Sequence, residues 1–155
     1  MKSCHFQGVP KEMAETVMDA SSKFDEFFNP ESENDMDEMA KPFYKVIAND
    51  VARQKKRLGG TFAVAHAVAT RKSRDYLRQL MGPDLVFVVL NLTRKCAGAR
   101  LKGRHGDSVG DGLENIHSIY QPAAEDEINA YNVDVEEGMT KDDVMQKVLE
   151  ITERL

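Results

Sequence analysis

The chain lacks tryptophan, carries only two cysteines and five prolines in 155 residues, and has no apolar run near the roughly 18 residues that a membrane span requires. The last of these absences argues against a membrane helix. Cys4 and Cys96 are too few for the disulfide framework of a small secreted domain, and the opening MKSCHFQGVP has no apolar core of a secretory signal. The expected compartment is therefore the reducing cytoplasm. Histidine is scarce as well, at four residues, and no second His or Cys stands at metal-ligand spacing from His66. No internal repeat is visible.

What is present is a composition of 41% apolar and 30% charged residues, which predicts one globular domain over residues 1–155. The net charge of -5 is unevenly spread. From Arg53 to Arg104 thirteen Lys or Arg stand against two acids, a balance of +11, which leaves -16 for the rest of the chain. Such asymmetry predicts a middle segment that faces an anion and acidic flanks that oppose unspecific sticking. On charge alone, a solvated helix face accounts for it equally well.

Met13, Val17, Phe24, Phe27 and Phe28 recur near helical spacing and predict a helix over 10–28, followed by an acidic exposed loop, NPESENDMDE, over 29–38. Lys41-Pro42 predicts the first turn of a second helix, which Gly59-Gly60 ends after the cations of RQKKRLGG. TFAVAHAV (61–68) and LVFVVL (85–90) are nearly continuously apolar and predict strands covered on both faces. Between them, Thr70 caps a helix that buries Tyr76, Leu77, Leu80 and Met81 and closes at Gly82-Pro83. Further helices are expected from Thr93 to about Lys102 and between Asp111 and Tyr120. AYNVDVEE predicts a last strand before a helix capped by Thr140, with Val144, Val148, Ile151 and Leu155 along one side. The alternation predicts an α/β fold, a parallel sheet with helices on both faces, whose ligands sit beyond the carboxyl ends of the strands.

Two basic clusters fall in such places. Arg71, Lys72 and Arg74 begin the helix after the first apolar run, and the fixed donors of a guanidinium match the oxygens of phosphate or carboxylate two at a time. Arg100 and Arg104 lie four apart near a helix end that enters GRHGDSVGDG, residues 103–112. That glycine-rich stretch is expected to fold over a ligand as a lid, bringing Arg104, with His105 beside it, to a phosphate. Each cluster has an ordinary alternative: Arg74 or Arg78 pairing with Asp75, and a solvated basic helix end. His66 is expected as a satisfied interior residue, and the eight methionines as core and helix residues.

AHAVATRKSRDYLR resembles the gluconokinase segment A-C-S-A-L-K-R-x-Y-R-D-x-L-R, with Ala65, Arg71, Arg74, Asp75, Leu77 and Arg78 coinciding. DLVFVVLNLTRKCAGARLKGRHG resembles the strand, helix and arginine-bearing lid that follow, and YQPAAEDEINAYNVDV the Pro-and-acid segment before N-A-x-x-V-D-V. The likeness runs in order over about residues 40–155. It implies a P-loop small-molecule kinase fold of the gluconokinase, shikimate kinase and adenylate kinase type, using ATP and Mg2+. It also implies that Arg71, Lys72 and Arg74 meet the acceptor, that Arg104 and Arg100 act catalytically from the lid, and that His105 touches the nucleotide. The chain departs from the family at several points. It has no G-x-x-x-x-G-K-[ST], the acidic dyad is replaced by Gly8-Val9-Pro10, and the lid's G-H-F by His105-Gly106-Asp107. The central first strand that carries the loop is missing, which predicts a gap between the strands over 61–68 and 85–90, or their direct pairing.

Phosphoryl transfer is almost wholly positioning and charge stabilisation by those missing parts. The expectation is thus a phosphotransferase-like protein for a small hydroxylated or phosphorylated metabolite, amino-terminally shortened and inactive by itself. The alternative is a non-catalytic module that docks a nucleotide, a phosphometabolite or a protein on a kinase-like scaffold. Nucleic acid is disfavoured, because few aromatics interleave with the cations. A homodimer that exchanges elements to fill the gap is a further expectation, and a membrane partner is not.

Overall fold

The computed structural model describes residues 35–60, 63–66, 68–105 and 117–155, with side chains for all of these except 100–105. In order, the elements are α1 (Met36–Leu58), α2 (Arg71–Met81), β1 (Phe87–Leu92), α3 (Arg94–His105), β2 (Ala130–Val135) and α4 (Lys141–Thr152). The helix expected over 10–28 lies outside the described residues. So do 106–116, which leaves of the helix expected at 111–120 a single turn over 117–119. Two compact units divide the chain: the described residues up to Val68 with Lys72–Pro83, and Ala69–Arg71 with Asp84–Leu155. No described helix is long and apolar enough to cross a membrane.

In the first unit, α1 begins six residues before Pro42, where Lys41-Pro42 was expected to open it. The reason is the cap: the Asp35 carboxylate accepts the Asp37 N–H at 2.9 Å, and Asp37 and Glu38 place negative charge at the positive end of the helix dipole. Pro42 then sits inside the helix at the loss of one backbone bond. The other end is as expected, with Gly59 at φ 67° donating to Lys55 O at 2.9 Å. Ala40, Tyr44 and Ala48, four residues apart, form the buried stripe of α1. In α2 the buried residues of this unit are Ser73, Arg74 and Leu77, whereas Leu80 is exposed and Tyr76 half-buried.

The strand expected over 61–68 does not form: residues 63–66 and 68 belong to no strand, and 63–66 are exposed. Alanine occupies every second position of AVAHAVA. Its side chain is a weak strand former and removes little apolar area from water, so the run cannot offset the ordering of its backbone. His66, expected inside, is instead exposed, with its ring 4.6 Å from that of Phe43 and 6.0 Å from that of Tyr44.

The second unit is built on β1 and β2, which pair in parallel from Phe87↔Ala130 to Leu92↔Val135. β1 therefore takes β2 as its partner and not the 61–68 run. The fold class is α/β with a small parallel sheet among the described residues. Because register is one to one, Val88, Leu90 and Leu92 share a face with Tyr131, Val133 and Val135. Val133 and Val135 are buried there with Cys96 of α3 and Val144 of α4, and Val88, Leu92, Met139, Val148 and Ile151 close around them. Leu155, expected on that stripe, lies past the end of α4 and is exposed.

Both joining helices carry the caps that their sequences announce. Thr93 Oγ1 accepts the Cys96 N–H at 3.2 Å, and α3 runs on to His105. Thr140 and Asp143 form a reciprocal capping box at α4, with Asp143 N donating to Thr140 Oγ1 at 3.2 Å and Thr140 N to Asp143 Oδ2 at 2.8 Å.

Candidate functional site

The start of α2, just before which Thr70 is buried, is where sequence places an anion-binding arginine, and the second unit surrounds it with one strap, residues 120–126. Gln121 grips the backbone twice: its N–H donates to Ala69 O at 2.8 Å, and its side-chain Oε1 accepts the Arg71 N–H at 2.9 Å. Two residues on, the Asn132 side chain of β2 clamps Ala123, accepting its N–H at 2.9 Å and donating to its carbonyl at 2.7 Å. The strap then turns back, closed by Glu127 N–H donating to Ala124 O at 3.0 Å, and this turn presents Asp126. Arg71 Nη1 donates to both Asp126 oxygens, at 2.8 and 2.9 Å. Both side chains are open to water, 42% and 71% exposed.

The front of the strap is tied to the sheet by Tyr120. Phe87 N–H donates to Asn129 O at 2.8 Å, so Phe87, Val89 and Asn91 turn their backbone groups toward β2, and Val88, Leu90 and Leu92 turn theirs to the opposite edge. The Tyr120 hydroxyl contacts the Leu90 carbonyl on that edge at 3.2 Å and also the Asn91 Oδ1. Asn91 in turn donates to Asp134 Oδ1 across the paired strands at 3.0 Å. By the same alternation Asp134 O faces the outer edge of β2, where Lys147 Nζ donates to it at 3.1 Å. One side chain thus blunts each edge of the sheet, which opposes strand-to-strand association at those positions.

The other sequence candidates lie elsewhere. Lys72 and Arg74 belong to the first unit. Lys72 Nζ reaches Asp35 at 2.6 Å and Glu38 at 3.4 Å, holding Asp35 below the ordinary carboxylate range, while the Asp35 hydrogen bond raises the Lys72 ammonium. Glu38 is lowered chiefly by its hydrogen bond from Lys41. Arg74 is wholly buried. Beside it, Ser73 Oγ donates to Asp37 and its hydroxyl meets the Tyr44 phenol, whose pKa burial pushes up. Arg78 pairs with Asp75 at 2.8 Å, the ordinary alternative weighed for it from sequence. Arg100, Arg104 and His105 lie in the last turns of α3 by their backbone, and so does the beginning of the expected lid over 103–112. Their side chains and the remainder of that lid are outside the described residues.

ATP and magnesium would need a phosphate-cradling loop with its lysine and hydroxyl, and the chain has no G-x-x-x-x-G-K-[ST]. Among the described residues, no three His, Cys, Asp or Glu side chains gather as a metal would require. These residues do not fit a magnesium-nucleotide centre; what the strap does present is the exposed pair of Arg71 and Asp126. Sequence reasoning singled out Arg71 and did not single out Gln121, Asp126 or Asn132, which surround it. Their one local signal is the Pro and run of acids in YQPAAEDE ahead of β2.

Compared with known proteins, the chain matches no family model, and neither a curated protein nor a solved structure shows significant similarity to it.

Proposed function

We propose that this chain is a kinase-like α/β module, of the P-loop small-molecule kinase type, that binds a small anionic metabolite or nucleotide without transferring a phosphoryl group by itself. It acts in the cytoplasm, and Arg71 is the residue that meets the anion. The observation that carries this is the Arg71 guanidinium: positioned by the Gln121 bond to its own backbone, and solvent-accessible at the start of a helix. Its exposed pair with Asp126 is weak enough for a phosphate to compete, because water screens both partners. A guanidinium offers a phosphate two parallel donors, and the N-terminal end of α2 adds a favourable dipole. The parallel pairing of β1 and β2 supports the scaffold, since it falls on the two segments that resemble gluconokinases.

Calorimetric titration of the full chain with ADP and with pyrophosphate tests this, beside a coupled ADP-release assay with ATP. Binding of at least one probe is expected, with loss in Arg71→Ala and no turnover in any sample. At ten times Kd the ligand should stabilise the fold by about 1.4 kcal/mol. Absence of binding at millimolar concentration, or binding that Arg71→Ala leaves intact, overturns the assignment.

A further inference from the structure

We infer that the outer edge of β1 is a dimerisation edge, on which β1 of a second copy of this chain pairs antiparallel around Leu90 and so extends the sheet. This is independent of the anion-binding role proposed for Arg71. It starts from the backbone. Phe87, Val89 and Asn91 direct their N–H and C=O groups to β2, whereas those of Val88, Leu90 and Leu92 point to the opposite edge. Among the described residues, these outward groups meet one partner, the Tyr120 hydroxyl at Leu90 O. That hydroxyl has one proton for both Leu90 O and Asn91 Oδ1, and a carbonyl oxygen has two lone pairs, so Leu90 O can still accept a strand N–H.

Strand edges are ordinarily guarded by a charge, a proline or a bulge. β2 follows that rule, with Asp134 in the strand and Lys147 Nζ on the Asp134 carbonyl at 3.1 Å. β1 has, among the described residues, only the uncharged Tyr120. From Leu85 to Thr93 the sequence holds no charged residue and no proline, and Leu90, in the outward row, is 42% exposed. A second copy fits because this edge is its own complement. With a two-fold axis at Leu90, Leu90 faces Leu90 of the second copy and exchanges both backbone bonds with it, and Val88 faces Leu92 of the second copy in the same way. Every outward N–H and C=O of β1 is then satisfied. On the face of the apolar cluster the exposed Leu90 side chains meet, and Val88 and Leu92 stand opposite each other, apolar cross-strand pairs that remove the edge from water. Charge fixes the direction. Exposed Asp84 precedes the strand and exposed Arg94 follows it, so antiparallel pairing brings opposite charges together at each end, whereas parallel pairing sets like beside like.

The test is sedimentation velocity with amide hydrogen exchange on the full chain between about 10 and about 500 µM, because self-association responds to concentration. The wild type should pass from monomer to dimer. The N–H groups of Val88, Leu90 and Leu92 should gain protection with concentration, while those of Val89 and Asn91, already bonded to β2, stay the same. Leu90→Lys should weaken the dimer at least about tenfold, whereas Met145→Lys, at a 57% exposed apolar residue of α4, should leave it unchanged. Asp84→Arg leaves the strand itself intact and should weaken the dimer about two- to fivefold, and adding Arg94→Asp should restore it. Should circular dichroism show Leu90→Lys unfolded, the Asp84 variants and the exchange of the wild type decide. A wild type that stays monomeric overturns the inference. So does a dimer that protects other N–H groups in place of Val88, Leu90 and Leu92, or one that a folded Leu90→Lys leaves intact, or one that Asp84→Arg does not weaken. None of these variants touches Arg71, so the anion site stands or falls separately.

Discussion

The described residues of the two units build their interiors differently. In the first, the most deeply buried side chains of α1 and α2 include Tyr44, Ser73 and Arg74, and the Ser73 hydroxyl donates to Asp37 and meets the Tyr44 phenol. In the second, Val133, Val135, Val144 and Cys96 cluster around a parallel strand pair, while Glu127 and Thr70 are buried as well. An apolar interior is held by area and shape, and tolerates small rearrangement. A buried polar one is directional: each group needs its partner, and removing one leaves another desolvated without compensation. The first unit thus gains a fixed pairing of helices, and the second a rigid frame for the strap that orients Arg71.

The sharpest way to break this contrast is to cut one anchor in each unit. Arg74→Ala should cost about 3 kcal/mol, since it opens a cavity and strands the groups that faced a fully buried guanidinium. Val133→Ala, a loss of two methyl groups from a 3% exposed site, should cost about 2 kcal/mol. Urea unfolding gives the magnitudes, and amide hydrogen exchange reads them at α1 and α2 for the first variant and at β1, β2 and α4 for the second. A Val133→Ala loss larger than that of Arg74→Ala would erase the distinction.

A smaller effect is expected at the α4 capping box. Thr140→Ala should cost about 1 kcal/mol. The Thr140 backbone N–H, then its hydroxyl, hold Asp143 below its ordinary 3.8. Its contribution is therefore complete above that value and is lost as pH falls through the lowered one. Acid titration of α4 exchange should show this decline below about pH 4 in wild type and not in Asp143→Asn. If both variants decline alike, the box does not govern the acid response.

The least effect belongs to the exposed cluster of the first unit. Lys72 is raised above its ordinary 10.5 by Asp35, so its contribution is complete below that value and is lost as pH rises through the raised one. Lys72→Met should lower the melting temperature less than any variant above, and the difference should close in about 1 M salt. A drop as large as that of Thr140→Ala would mean that the exposed charges matter more than screening allows.

Local signals in the sequence were good guides wherever one element answers to its own residues. The strand expected over 85–90 and found two residues on at 87–92, the strand at 130–135, the caps Thr93 and Thr140, and the stop at Gly59 follow from apolar runs, a hydroxyl at a helix start and a glycine at positive φ. The start of α1 was misplaced because Pro42 is a louder signal than the Asp35 carboxylate that caps the helix. The 61–68 run misled for another reason: apolar content says that a segment could be buried, not that enough area exists to bury it.

What the residues alone determined is the list of helices and strands with strong local chemistry, the unequal charge along the chain, and Arg71 as a cation at a helix start. Only the tertiary structure decided that Asp126 holds that cation, that Gln121 and Asn132 fix the strap, and that Arg74 is buried. The reason is physical: caps and periodicity act within a few residues, whereas these partners meet across 9 to 55 positions of chain. Contacts at such separations depend on how the whole backbone closes, and no local pattern encodes that closure.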